Sequence, residues 1–432
     1  MSAHSGKTAY VNARLLDPGT GRDETGDLLT VGTEIRDIGT LFSGGTPEDA
    51  TVVDCRGHCL APGLIDMAAS LGEPGREHKE TIATATRAAA VGGVTTLVAL
   101  PDTKPIVDEI ALVEFLDRRA QASGEVRVLP AAALTKGLQG QEMTEIGLLG
   151  EAGAVLFTDG YRSIANAQVL RRALSYATTF NALIAHHTEV AELVGDGVMN
   201  EGETATRLGL RGIPCAAETI MVERDLRIAE MTGGRYHASS ISTAESVEAV
   251  RRAKAKGLNV SCAVAPYHFS LNDAEVGPYR TFAKVAPPLR GEVDRQAIVE
   301  GLADGTIDVI ASHHRPEDPE GKRLPFAQAA YGAVGLETLL AIGLDLYHAD
   351  RLSLLDLMAR LSLRPAELLG LPQGRLVKGA PADLIMFDPD APWRVDAEAF
   401  QSKSKNTPFD GRPVQGRVLR TVVAGATIHR AE

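Results

Sequence analysis

The middle of the chain alternates short apolar runs with helical stretches, and this alternation constrains the fold more than any other feature. Helix-like segments, such as Asp108–Ala122 and Ala244–Lys256, separate runs that are typical of buried strands. Eight successive units of a strand followed by a helix, over about 250 residues, are typical of a (β/α)8 barrel. The predicted strands are Leu64–Ala68, Thr95–Leu100, Val126–Ala132, Ala154–Thr158, Leu183–His186, Tyr236–Ser239, Asn259–Ala265 and Asp308–Ser312.

A doubly wound open sheet is the alternative for this pattern, but no Gly-x-Gly-x-x-Gly follows the first strand. Both ends of the chain are rich in short β-like runs punctuated by turn residues, such as Tyr10–Leu16 and Arg417–Ile428. We therefore predict a barrel over residues 61–372. The remaining residues, 1–60 and 373–432, are predicted to form a small β-sandwich domain built from both termini.

Charge and composition restrict the partners of this fold. Lys plus Arg total 44 against 56 Asp plus Glu, so the net charge is −12. A nucleic-acid or anionic-membrane binder needs a basic face, and a base-stacking surface needs more than 4% aromatic residues. No apolar run reaches the roughly 18 residues of a membrane span. Four cysteines do not make a disulfide framework, so we expect a cytoplasmic protein.

The chemistry of such a barrel is expected at the carboxyl ends of its strands. Several polar groups stand at these ends. Asp159 follows the fourth predicted strand, His186 and His187 close the fifth, and His313 and His314 follow the eighth.

The surroundings of these strand ends resemble dihydroorotase, a family of the amidohydrolase superfamily. The resemblance covers essentially the whole chain, and its motifs are specific in combination although each alone is weak. It implies an α/β fold, a TIM barrel of the metal-dependent hydrolase type with a small terminal β-domain, which agrees with the strand pattern. The matching motifs are Ala61–Met67, Glu73–Gly75, Gly92–Thr96, Met199–Gly202, Leu208–Leu210, Lys284–Arg290, Gly335–Thr338, Ala382–Leu384 and Ser404–Phe409.

The resemblance also implies a metal centre. Bound zinc lowers the pKa of water to about 7 and supplies hydroxide for attack on an amide carbonyl. In the family the ligands are a His-x-His after strand one, an acidic group after strand four and a His after each of strands five and six. An Asp after strand eight is both a ligand and the general base.

This sequence departs from the family pattern at most of those positions. Ala68 and Ser70 replace the His-x-His, Ser240 replaces the strand-six His, and His313 replaces the strand-eight Asp. After strand four one acidic residue remains, Asp159, and only His186 clearly matches its ligand position. Ala and Ser offer zinc no lone pair of useful strength.

The positions that would hold the substrate carboxylate differ as well. Gly72 stands where the family has an Arg, and Asp102 and Ala286 stand where it has Asn. Gly and Ala offer no side-chain donor, and the Asp102 carboxylate would repel an anion. A chain with these replacements is predicted not to be an enzyme and to have no cofactor.

The resemblance supplies a role for such a chain. Catalytically defective members of the family, pseudo-dihydroorotases, serve as structural partners of aspartate transcarbamoylase, the preceding step of pyrimidine biosynthesis. The first hypothesis is therefore a structural subunit that stabilises the aspartate transcarbamoylase catalytic subunit. It would be a homodimer within a hetero-oligomer.

The second hypothesis is an enzyme, a metal-dependent amidohydrolase with a rebuilt mononuclear zinc site acting on a different cyclic amide. Its ligands would be Asp159, His186 and His313. The competing interpretation is that these histidines are hydrogen-bonded imidazoles that fill space in the barrel. A third hypothesis is a ligand sensor that keeps the barrel pocket.

Overall fold

A computed structural model describes residues 6–431 of the chain. The strands are β1 (Lys7–Asp17), β2 (Arg22–Val31), β3 (Glu34–Gly39), β4 (Ala50–Asp54), β5 (Cys59–Pro62), β6 (Leu64–Ala69), β7 (Val94–Ala99), β8 (Arg127–Ala132), β9 (Leu156–Phe157), β10 (Leu183–His186), β11 (Met199–Asn200), β12 (Gly212–Ile213), β13 (Arg235–Ala238), β14 (Val260–Val264), β15 (Val309–Ile310), β16 (Leu384–Arg394), β17 (Pro413–Val423) and β18 (Ala426–Arg430).

Most α-helices lie between the strands of the middle region. They are α1 (Ile82–Val91), α2 (Ile110–Ser123), α3 (Ile146–Glu151), α4 (Ala167–Ala177), α5 (Ala191–Val194), α6 (Glu203–Leu208), α7 (Ala216–Thr232), α8 (Ala244–Ala255), α9 (Pro266–Ser270), α10 (Glu292–Ala303), α11 (Pro319–Lys322), α12 (Leu339–His348), α13 (Leu354–Met358) and α14 (Arg364–Leu369). Among the residues that are described, no helix combines the length and apolar character needed to cross a membrane.

Eight parallel strands form a nearly closed barrel, which confirms the predicted (β/α)8 fold. Their order is β15-β14-β13-β10-β9-β8-β7-β6. A parallel bridge between Ala69 and His314 joins the two ends of this sheet. Apolar side chains, most of them small or branched, fill the inside, as expected of a packed barrel core. They include Met67, Val98, Ala131, Ala185, Ala263, Val309 and Ala311.

Helix α8 illustrates how the sequence ends its helices. The Thr243 side chain accepts a hydrogen bond from the backbone N–H of Ser246 and so caps the amino end. Arg252 and Lys254 lie in the last turn, where their positive charges interact favourably with the negative end of the helix dipole. Its buried face, which includes Val247 and Val250, packs into the main core.

Strands from both termini form a second, mixed sheet. Its order is β18-β17-β16-β5-β1-β2-β3, with β4 paired to β1. The antiparallel pair β5–β16 joins the two ends of the chain, with Leu60 opposite Met386. The boundaries 1–60, 61–372 and 373–432 stay a prediction.

Parts of the strand prediction need correction. The predicted run Arg417–Ile428 is two strands, because Ala424 and Gly425 between them both have positive φ angles, as a tight hairpin turn requires. The final barrel strand, β15, is only two residues long. It ends early because the Ser312 N–H donates 2.7 Å to the Asp66 carboxylate instead of to a neighbouring strand.

Candidate functional site

The carboxyl ends of the barrel strands form the mouth of the barrel. They surround a cavity of about 20 Å³. That volume has room for about one water molecule. Its polar lining comes from different strand ends, as the barrel fold predicts. The lining includes Ala68, Thr158, Tyr161, His187, His237, Ser239 and His313.

Tyr161 lines this cavity and contacts three neighbouring side chains. Its ring lies 6.2 Å from the His187 ring and 6.3 Å from the His313 ring, measured between centroids. The guanidinium carbon of Arg315 lies 4.4 Å from the Tyr161 ring centroid, a cation–π contact. The Tyr161 hydroxyl is buried and has no hydrogen-bond partner among the described residues. The small cavity and the buried residues below it show that side chains fill the centre of the barrel.

Two imidazoles at the cavity are uncharged at neutral pH. Burial lowers the pKa of His237 to about 3 and the pKa of His313 to about 4. The His313 Nε2 atom donates to the Ser239 carbonyl at 2.9 Å. The His237 Nδ1 atom lies 2.8 Å from the Ser261 hydroxyl. These rings are held by neutral hydrogen bonds.

His186 is a structural link in this fold. Its Nδ1 atom lies 2.6 Å from the Asp225 carboxylate, and its Nε2 atom accepts from the Ile164 N–H at 2.7 Å. Both ring nitrogens are therefore engaged. Asp159 is engaged in the same way, because its two oxygens accept from the backbone N–H and the hydroxyl of Thr135.

The predicted ligands Asp159, His186 and His313 are not brought together as a metal site. Across residues 6–431, no three His, Cys, Asp or Glu side chains converge in a way that could hold a metal ion. Ala68 offers no ligand atom, and the buried Ser240 hydroxyl has no hydrogen-bond partner within residues 6–431. The residues at this mouth do not fit the zinc centre that the resemblance implies.

The loop after β6 explains why position 72 lacks an arginine. Gly72 has a φ of +69°, and a Cβ there would lie 2.6 Å from the Glu80 carbonyl oxygen. A larger residue does not fit this turn. An arginine, Arg76, lies one turn further along the chain, and its backbone N–H donates to the Gly72 carbonyl at 2.6 Å.

Arg76 lines a cleft of about 400 Å³ beside the mouth. Asp102 also lines it and accepts from the Ser70 hydroxyl at 2.8 Å. The basic side chains exceed the acidic ones, so the cleft suits an anion. Its charged lining residues are Arg76, Asp102, Lys104, Asp159, Arg162 and Arg315.

Sequence reasoning missed Tyr161, Arg76 and Arg315. The signal was weak: Arg76 follows Gly72 by four positions, and Arg315 directly follows the His313–His314 pair. Ala286, the third altered substrate position, is half-buried and precedes Pro287, whose carbonyl accepts from His268 at 3.0 Å. It has no part in the cleft lining.

The shared motifs hold the loops around the mouth. Arg290 donates to the Asn200 side chain at 3.2 Å and to the Ile213 carbonyl at 3.0 Å. Asn406 donates to the Arg315 and Gly332 carbonyls, each at 3.1 Å. These residues hold the loops in place, whereas other side chains line the mouth cavity.

Comparison with known proteins supports the same family. A family model described as "Dihydro-orotase-like" matches residues 57–246, and one described as "Amidohydrolase family" matches residues 217–429. A dihydroorotase of Anaplasma phagocytophilum is 46% identical over 98% of this chain and 95% of its own length. The chain belongs to the dihydroorotase-like amidohydrolase family.

Further similarities agree with this family. A dihydroorotase of Geotalea daltonii is 45% identical over 97% of this chain and 98% of its own length. The solved L-hydantoinase of Arthrobacter aurescens shares the fold, with a TM-score of 0.89 at 24% identity over 98% of this chain and 96% of its own.

Two predictions are contradicted by these relatives. The expectation that the chain is not an enzyme is wrong, since relatives that match nearly its whole length are named dihydroorotase and point to an enzyme. The expectation of no cofactor is wrong too, since these families are typically zinc-dependent. Both expectations were drawn from a few residues at the mouth, whereas the similarity extends over the whole chain.

Proposed function

We propose that this member of the dihydroorotase-like family is a subunit that binds the catalytic subunit of aspartate transcarbamoylase in pyrimidine biosynthesis. Family membership supports the pathway, and the resemblance to subunits that serve this enzyme supports the partner. The proposal needs a surface on which a partner can dock. One exposed apolar patch on the outer helices of the barrel fits that need.

The apolar patch consists of Leu148 on α3, Tyr176 in the last turn of α4 and Phe180 in the 3-10 turn that follows α4. Their side chains are 50%, 37% and 43% exposed. The Tyr176 and Phe180 rings meet edge to face, with 5.2 Å between centroids. Phe180 lies over α3, since a Cβ on Gly147 would come within 2.6 Å of its ring. Clustered exposed apolar groups of this kind mark protein interfaces, and this patch is the observation that carries the proposal.

Size-exclusion chromatography with the purified aspartate transcarbamoylase catalytic subunit tests this proposal. We expect the wild-type chain to co-elute with it. Leu148→Glu, which places a charge in the patch, should abolish co-elution, and Phe180→Ser should weaken it. The matched control is Val293→Glu on α10, a site that is 79% exposed and outside the patch. Separate elution of the wild-type proteins would overturn the proposal.

A second candidate function is hydrolysis of an anionic cyclic amide, and the names of the relatives favour it. The basic cleft around Arg76 and Arg315 would hold the carboxylate of such a substrate. The test is dihydroorotate hydrolysis by the chain alone and by the co-eluting complex, after growth with added zinc. If this candidate is correct, the wild-type chain hydrolyses dihydroorotate. Arg76→Gln should then lower the turnover about tenfold or more, because it removes a hydrogen bond between a charged side chain and the substrate. No turnover in either sample would exclude dihydroorotate as the substrate.

A further inference from the structure

A larger cavity lies between helix α12 and the mixed sheet. Its volume is about 530 Å³, within the range of small-ligand pockets. Val91 and Gly92, which precede β7, form one wall together with α12. Strands β16, β17 and β18 of the mixed sheet form the other wall.

The inner surface of this cavity is apolar and aromatic. Leu340, Ala341 and Val418 line it beside Phe400 and Trp393. The Trp393 Nε1 donates to the Gly416 carbonyl at 2.8 Å, which fixes the orientation of the indole. A fixed indole beside apolar side chains suits a flat unsaturated ring.

Three exposed arginines surround the opening: Arg394 on β16, Arg417 on β17 and Arg430 on β18. Arg394 gives one hydrogen bond to the Gly411 carbonyl at 3.0 Å. Of the ion pairs that residues 6–431 form with one another, none involves these three guanidinium groups. Each therefore presents donors to a ligand that carries oxyanions.

The acidic side chains of the cavity are already engaged by backbone groups. Glu337 accepts from the N–H groups of Gln401 at 2.8 Å and Ser402 at 3.1 Å. Asp396 accepts from the Glu398 N–H at 3.1 Å. Three arginines against these two carboxyl groups leave an excess of positive charge at the cavity, in a protein whose net charge is −12.

We propose that this cavity binds a nucleoside di- or triphosphate, with the base against Trp393 and the phosphates on Arg394, Arg417 and Arg430. The apolar wall matches the base, and the arginine rim matches the phosphates. The inference stands apart from the proposed function, because no residue that lines this cavity also lines the mouth cavity or the basic cleft.

Trp393 provides a direct test, because it is the single tryptophan of the chain. Its fluorescence, excited at the red edge of the indole band, should change saturably when the wild-type protein is titrated with ATP. Arg417→Gln and Arg430→Gln should each weaken ATP binding about tenfold, which corresponds to about 1.4 kcal/mol. Arg36→Gln, on the exposed side of β3, is the control and should bind as the wild type does.

Titrations with inorganic triphosphate and with adenosine separate the two halves of the ligand. We expect both to bind more weakly than ATP. Equal affinity for triphosphate and ATP would overturn the role of the base, and no saturable response to ATP would overturn the site. Thermal unfolding of each variant checks that it is folded, and these arginines are exposed, so the substitutions leave the core intact.

Discussion

At the scale of single residues, two buried lysines stand out, because lysine is rarely buried without a carboxylate partner. Lys322 is 3% exposed, and its Nζ donates to the Thr281, Lys284 and Ala330 carbonyls. The Lys284 Nζ donates to the Phe326 and Ala327 carbonyls and lies 4.6 Å from the Tyr331 ring centroid. Both lysines hold the segment that follows β15.

The pKa of Lys322 leads to a prediction about pH. Burial lowers that pKa from 10.5 to about 7. Between these two values the lysine binds more protons in the unfolded chain than in the folded one, so its contribution to stability rises with pH from about 7 toward 10. We expect Lys322→Met to flatten this rise in melting temperature.

The measurement is thermal unfolding at a series of pH values across that window. A residual slope should remain, since burial also lowers the pKa of Lys284 to about 8. The control is Lys378→Met, an exposed lysine near the start of the C-terminal region. Parallel pH profiles for wild type and Lys322→Met would contradict the prediction.

Individual mouth residues could be identified from the sequence only where they replace a known motif. Ala68, Ser70, Ser240 and His313 were recognised in this way. Tyr161 and Arg76 could not be, because their positions depend on how a loop turns. The positive φ of Gly72 excludes an arginine at that position, and the nearby arginine is Arg76. No sequence pattern specifies this φ angle.

At the scale of elements, the C-terminal segment 402–409 braces the loops around the mouth. The Ser402 hydroxyl donates to Glu80 at 2.5 Å, and the Ser404 hydroxyl donates to the Lys79 carbonyl at 2.7 Å. Asn406, 2% exposed, accepts from the Glu317 N–H at 3.0 Å and donates to the Arg315 carbonyl. The mouth therefore depends on a segment that belongs to the far end of the chain.

Asn406→Ala should loosen the segment that carries Arg315. The substitution removes three hydrogen bonds and leaves buried backbone groups without partners, at a cost of about 3 kcal/mol. We expect faster amide hydrogen exchange in residues 313–332 and little change in the barrel strands. Gln401→Ala, at an exposed side chain, is the control. Unchanged exchange in residues 313–332 would show that Asn406 does not hold the segment.

The sequence predicted long elements well and short ones poorly. Helices α2 and α8 match their predicted ranges to within about two residues, because their apolar patterns are long. Strands β9 and β15 are shorter than predicted. Beyond β15 the Asp66 carboxylate takes the backbone N–H that a longer strand would use, and sequence patterns do not show such contacts.

At the scale of the whole molecule, barrel and mixed sheet share one core. Ile385 and Phe387 of β16 belong to the same cluster of buried side chains as Leu64 and Leu97 of the barrel. Arg127 of β8 pairs with Asp383 at 2.9 Å, which adds a polar link between the two parts. The alternating pattern and the β-rich ends predicted both parts but not how closely they join.

This shared core predicts a single cooperative transition in scanning calorimetry. A chain that ends at residue 372 should lose near-ultraviolet circular dichroism and become sensitive to protease, because removal of β16–β18 exposes apolar surface of the barrel. Removal of residues 6 and 7 alone, where β1 begins, serves as the control and should leave the transition in place. Two well-separated transitions in the full chain would contradict the prediction.

The turn at Gly72 also bears on how such a mouth can evolve. One nucleotide change converts many glycine codons to arginine, yet an arginine at 72 would meet the Glu80 carbonyl oxygen, 2.6 Å from its Cβ. The backbone of residues 72–80 would have to change first. The substitution Gly72→Arg is thus epistatic: it is tolerated only after other mutations have changed the path of this loop. The order in which the mutations arise therefore matters.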